Sequence, residues 1–96
     1  MEEGKYFSDD KKFIFSASMC GNGEQLFLGL EGQKDSRVLF EIFDMSGKCV
    51  FSHRDLVLQG SNQYLMSMKY ATPGIYLVRA TVNGVSIVTK VARQNA

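Results

Sequence analysis

The sequence holds no tryptophan, one proline, one histidine and two cysteines among its 96 residues. Two cysteines permit at most one internal disulfide and supply no structural zinc site without other ligands. Whether Cys20 and Cys49 are bridged or free is open at this level. No run approaches the roughly 18 apolar residues of a membrane-spanning helix, and the opening MEEGKYFSDDKK is too polar for the apolar region of a signal peptide. The chain is therefore expected to be soluble, with no membrane insertion. Eleven Lys and Arg against ten Asp and Glu leave a formal charge of +1, which is no footprint for phosphate backbones, so no nucleic acid partner is expected.

What is present is an ordinary globular balance, 45% apolar and 22% charged, with seven Phe and four Tyr. That composition folds, and the length allows one hydrophobic core but not two. Residues 1–12 mix charges without periodicity and read as a flexible linker or tail. The domain proper, 13–96, begins at Phe13. Apolar residues then alternate: Phe13, Phe15, Ala17 and Met19, and, past a turn at Gly21-Asn22-Gly23, Leu26, Leu28 and Leu30. After the loop EGQKDS, Val38, Phe40 and Ile42 share one face of a strand, with Leu39, Glu41 and Phe43 on the other. Met45 to Lys48 is a short glycine-containing connection, so Cys49 to Arg54 returns antiparallel. A short run at Leu56 to Leu58 follows, Gly60-Ser61-Asn62 breaks the chain, and Tyr64, Met66 and Met68 alternate through a further strand.

The last stretch, TPGIYLVRATVNGVSIVTKVARQ, has the clearest local structure. Asn83-Gly84 suits a two-residue type I′ turn, whose central residues both need positive φ. Pairing then sets Val82 opposite Val85, Ala80 opposite Ile87, Val78 opposite Thr89 and Tyr76 opposite Val91, a nearly apolar face that belongs on the core. The reverse face pairs Thr81 with Ser86, Arg79 with Val88 and Leu77 with Lys90. About seven strands, with turn signals roughly every 8 to 12 residues and no helix, predict an all-β, antiparallel β-sandwich.

Reactive chemistry is hard to find. Cys49 and His53 fall on the same expected strand face, yet four residues of extended chain separate their Cα atoms by about 13 Å, beyond the reach of a base. Gly21-Asn22-Gly23 has two glycines of a dinucleotide fingerprint but a strand follows, leaving no helix N-terminus for a pyrophosphate. The carboxylates form neither a calcium loop nor an evident catalytic pair. Tyr6, Phe7, Phe43, Phe51 and Tyr70 could stack on sugar faces, though core packing and cross-strand pairing explain such residues in a sheet. No catalytic, cofactor-binding or metal-binding residue emerges, and no enzyme is expected.

The order of segments from Val38 onward carries more. A strand leads into a turn with glycine and a basic residue (Asp44, Gly47, Lys48, Val50). Next come a Leu-x-x-x-Gly-x-Asn stretch (Leu56, Gly60, Asn62) and a Gly-hydrophobic-Tyr strand (Gly74, Ile75, Tyr76). A hairpin turn (Asn83, Gly84) and a strand with a basic residue (Lys90) close the series. This order resembles the type A C-terminal sorting domain of proteins exported by the Bacteroidetes type IX secretion system, over about 55 residues. Members commonly open on a Pro-Asn-Pro stretch, whereas here Pro73 is the only proline.

The resemblance implies an immunoglobulin-like sandwich acting as an address. Such a domain passes through the periplasm, is recognised by the outer-membrane translocon, and directs an upstream cargo to the cell surface or medium, where a sortase removes it from many cargoes. Leu77, Arg79, Val88, Lys90 and Arg93, on the reverse face and edge of the last hairpin, are the expected recognition residues. Gly74 and Tyr76 read as architectural. The alternative is an accessory immunoglobulin-like module, binding glycan or protein, of a secreted or periplasmic protein.

Overall fold

The computed structural model describes residues 5–7, 13–20, 24–32, 35–57 and 59–94. Among the described residues eight strands follow one another: β1 (Lys5–Phe7), β2 (Phe13–Cys20), β3 (Gln25–Gly32), β4 (Ser36–Phe43), β5 (Cys49–Val57), β6 (Gly60–Ser67), β7 (Gly74–Val82) and β8 (Val85–Arg93). They form two four-stranded antiparallel sheets, with orders β1-β2-β3-β6 and β5-β4-β7-β8. The pairs β3-β6 and β4-β7 join strands far apart in sequence, so the chain crosses between sheets. Strands β2 to β8 thus give the connectivity of a seven-stranded immunoglobulin-like sandwich, three strands facing four. Among the described residues there is no helix.

Alternation creates the core. Phe13, Phe15 and Ala17 of β2 oppose Gly32, Leu30 and Leu28 of β3, and their apolar side chains are buried. From the other sheet come Val38, Phe40 and Ile42 of β4, with Tyr76, Val78, Ala80 and Val82 of β7 and Val91 of β8. Phe40 is central: its ring lies 6.2 Å from that of Phe15 and 5.0 Å from that of Tyr64, so aromatic contacts join the sheets. Fully burying each large side chain is worth about 1.5 to 3 kcal/mol.

The β7-β8 hairpin has the expected register throughout, from Val82 opposite Val85 to Tyr76 opposite Val91. Asn83 and Gly84 have φ of 51° and 85°, the sign a type I′ turn demands.

Elsewhere the structure corrects the sequence reading. Gly60-Ser61-Asn62 is the start of β6 rather than a break, with Gly60 opposite Gly32 and Asn62 opposite Leu30. A φ of 101° at Gly60 turns the chain directly into the strand. Likewise Leu56 does not begin a separate run, because β5 continues to Val57. The loop EGQKDS is shorter than read, since Glu31 and Gly32 finish β3 and Ser36 opens β4. Strand β1 pairs with Ile14 to Ser16 of β2; three residues are too few to show a period of two. The turn expected at Gly21-Asn22-Gly23 and the rest of the tail lie outside the described residues.

Candidate functional site

Position in the fold sorts the residues singled out by sequence. The first group holds the sandwich ends. Asp44 leaves β4 and its Oδ1 accepts from the Ser46 amide at 2.9 Å, the Ser46 hydroxyl at 2.6 Å and the Lys48 amide at 3.0 Å. The Gly47 amide also donates to the Asp44 carbonyl at 3.0 Å. The bonds to Oδ1, that from the Ser46 hydroxyl first, hold the Asp44 carboxyl below its ordinary pKa. Gly74 and Tyr76 begin β7 at this same end, and the Tyr76 hydroxyl donates to the Thr72 carbonyl. Gly60, Asn62, Asn83 and Gly84 occupy the opposite end; the Asn62 amide reaches the Leu30 carbonyl at 3.5 Å.

The second group shares the outer face of the sheet β5-β4-β7-β8. Leu77 pairs with Lys90 and Arg79 with Val88. Val88 is 48% exposed, Lys90 is exposed, and Leu77 and Arg79 are half-buried. Arg79 does not stand free: its Nη2 and Nε lie 2.6 and 2.9 Å from Glu41 Oε1. Its guanidinium carbon also sits 4.9 Å from the centre of the Phe43 ring. Strand β4 makes this possible by placing Glu41 opposite Arg79 and Phe43 opposite Leu77. The alternation of β4 puts Leu39, Glu41 and Phe43 on one face, but its pairing with β7 has no local signal.

Arg93 departs from this group. It lies opposite Gly74, on the core-facing side of β8, and is 7% exposed. Its guanidinium donates to the carbonyls of Met68 and Lys69, each at 3.2 Å, and to that of Gln94. The expectation that Arg93 shares the reverse face is therefore corrected. Two-residue alternation from Val91 already puts residue 93 on the inner side.

Strand β8 is also a sheet edge, paired with β7 and with no other described strand. In a two-residue hairpin the residues flanking the turn exchange both backbone bonds, and such pairs then alternate with unbonded ones. Ser86, Val88, Lys90 and Ala92 therefore direct their N–H and C=O groups away from β7. The strand is nine residues long and has no proline. Among its described contacts there is no bulge; the exposed Lys90 and the approach of β2 to β8 protect this edge only in part.

Strand β5 is different. A shift between Ile42 and Phe43 makes Phe51 pair with Ile42 but Cys49 with Phe43, leaving Val50 as the extra residue. Cys49 is consequently matched to the outward Phe43 and His53 to the core residue Phe40, which corrects the expected shared face. Cys20 and Cys49 are both free thiols, and that of Cys49 donates to the Phe51 carbonyl at 3.3 Å. His53 is exposed, 3.8 Å from Asp55. Among the described residues no group of three His, Cys, Asp or Glu is placed to hold a metal ion, and no helix is long and apolar enough to cross a membrane.

No curated protein matches the chain. Among solved structures, β-glucosidase 3B from Thermotoga neapolitana, in complex with α-D-glucose, aligns at 13% identity and a TM-score of 0.37. That alignment covers 97% of this chain, and the chain spans only 15% of that protein's length. The model of the secretion system C-terminal sorting domain matches residues 24–94, from β3 through the end of β8. The match covers well over half of the sequence, and the chain belongs to the family of type IX secretion C-terminal sorting domains.

Proposed function

We propose that the export machinery recognises this sorting signal through the outer face and free edge of the β7-β8 hairpin, with Leu77, Arg79, Val88 and Lys90 in contact. The family's role as a signal for type IX secretion requires a surface that a partner reads, and the edge of β8, unpaired on its outer side among the described strands, carries the assignment. An incoming extended segment would bond the outward backbone groups of Ser86, Val88, Lys90 and Ala92, as in strand addition. Side chains on the outer face would supply selectivity. The domain performs no reaction itself; it passes through the periplasm attached to an upstream cargo and delivers that cargo to the cell surface or medium. A surface sortase then acts on the chain preceding the sandwich.

The test is a fusion of residues 1–96 to a periplasmic reporter in a host with a type IX system. Surface or medium delivery is expected. A folded fusion held in the periplasm overturns the delivery role. Val88→Pro then probes the edge, because it removes an N–H that faces away from β7 and so spares the hairpin ladder. The variant should melt cooperatively yet remain in the periplasm. Export at the wild-type rate would remove the edge from the recognition surface.

A further inference from the structure

The chain is nearly neutral overall, yet its charges are unevenly placed. On the outer face of β5-β4-β7-β8, the register sets Arg37 beside Leu56, Arg54 beside Leu39, Glu41 beside Arg79 and Lys90 beside Leu77. Four cations thus accompany one carboxylate, a net of three positive charges on one sheet face. Glu41 is committed to Arg79. Arg37, Arg54 and Lys90 are exposed, and none has a carboxylate partner among the described residues. Arg37 and Arg54 line one shallow hollow. Asp55 also lines this hollow, but it pairs with Val38, on the core-facing register, and its carboxylate accepts from the Leu56 amide.

From this we infer that the outer face of β5-β4-β7-β8 docks onto an acidic protein surface, held by Arg37 and Arg54 at one corner and Lys90 at the other. The inference rests on the sorting role and enlarges the recognition surface by two arginines. Between Arg54 and Lys90 lie three strand spacings and a four-residue offset, about 20 Å from Cα to Cα. An apolar band of Leu39, Phe43, Leu77 and Val88 fills the interval. Guanidinium groups match carboxylates as planar forks, which favours Asp and Glu as the opposing groups. The arrangement also favours a protein over a lipid surface. Cations and apolar groups here share one plane, as on a folded partner, whereas a bilayer stacks its anionic layer above its apolar one. The central Glu41–Arg79 pair would face unfavourable burial in lipid but can be hydrogen-bonded across a protein interface.

The experiment compares two double variants of the same fusion that lower the net charge equally. Arg37→Gln with Arg54→Gln changes the proposed face, and Ser61→Glu with Gln63→Glu changes the exposed outer side of β6. The first should lower reporter export about tenfold while the second leaves it within about twofold of wild type. Thermal melts of both should stay cooperative. Affinity for the purified outer-membrane translocon should weaken about tenfold between 50 and 300 mM salt in wild type and in the β6 variant, and much less in the arginine variant. Equal export of the two double variants, or translocon affinity indifferent to salt and to the arginines, would overturn the inference while leaving the sorting role intact. So would arginine-dependent binding to anionic phospholipid vesicles with translocon affinity unchanged. A wild-type fusion that is not exported would overturn both.

Discussion

The Tyr76 hydroxyl donates to the Thr72 carbonyl oxygen at 2.6 Å, tying the start of strand β7 to the loop that feeds it. The ring is 4% exposed and pairs across the hairpin with Val91, so one side chain fills the core and satisfies its own polar end. The geometry is that of the tyrosine corner found in immunoglobulin-like sandwiches. In the proposed recognition by a folded surface, this corner orients the strand whose outer face carries Leu77 and Arg79.

Tyr76→Phe keeps the ring and deletes only the hydroxyl. Losing that bond should cost about 1 to 2 kcal/mol, because the Thr72 carbonyl is left without its partner. Urea unfolding with an unchanged m-value is the appropriate measurement. Equal midpoints for variant and wild type would show that the corner is ornamental to stability.

The Asp44 turn predicts a pH dependence. Hydrogen bonds from Ser46 and Lys48 favour the ionised carboxylate, so its folded pKa lies below the ordinary 3.8. A depressed carboxyl contributes stability that is present above the unfolded pKa and lost as pH falls through the folded one. Asp44→Asn should therefore narrow its stability gap to wild type as the pH drops below about 4. Denaturation midpoints taken from pH 6 down to 2 check this, and a gap that is constant across the range would contradict it.

Local chemistry made part of the fold legible in the sequence. Asn83-Gly84 announces its turn, and the alternation of Tyr76 to Val82 against Val85 to Val91 then leaves one register that buries the apolar set. Non-local pairing leaves no such local mark. Glu41 and Arg79 meet across 38 residues, and nothing near either residue announces the other. The extra residue Val50 changes the faces of β5 without a proline or glycine to mark it. Arg93 is a mixed case. Its inward position follows from the hairpin register, but the carbonyls that hold it belong to a turn 24 and 25 residues away.

Burial of Arg93 leads to a contrast between two cations of one strand. Arg93→Met retains much of the apolar stem but abandons the carbonyls of Met68 and Lys69, and should cost about 2 to 3 kcal/mol. Lys90→Met, on the exposed outer face, should change stability by less than about 0.5 kcal/mol. Amide exchange in the 68–71 turn should accelerate in the first variant alone. Comparable losses in both would remove the distinction between anchor and surface cation.

Thr89 supplies a prediction of the opposite sign. It is the one polar member of the apolar face formed by Tyr76 to Val82 and Val85 to Val91, and it is 3% exposed. Its Oγ1 has no hydrogen-bond partner among the described residues. Burying a hydroxyl without a partner costs free energy that a methyl of similar shape does not. Thr89→Val should therefore stabilise the domain by about 1 kcal/mol, seen as a higher urea midpoint with the same m-value. Because the side chain points into the core, opposite Val78, the outward backbone groups of β8 and its outer-face side chains are untouched. Export of the variant should match wild type, so a gain in stability accompanied by lost export would show that the sorting signal requires a loosened core as well as a legible surface.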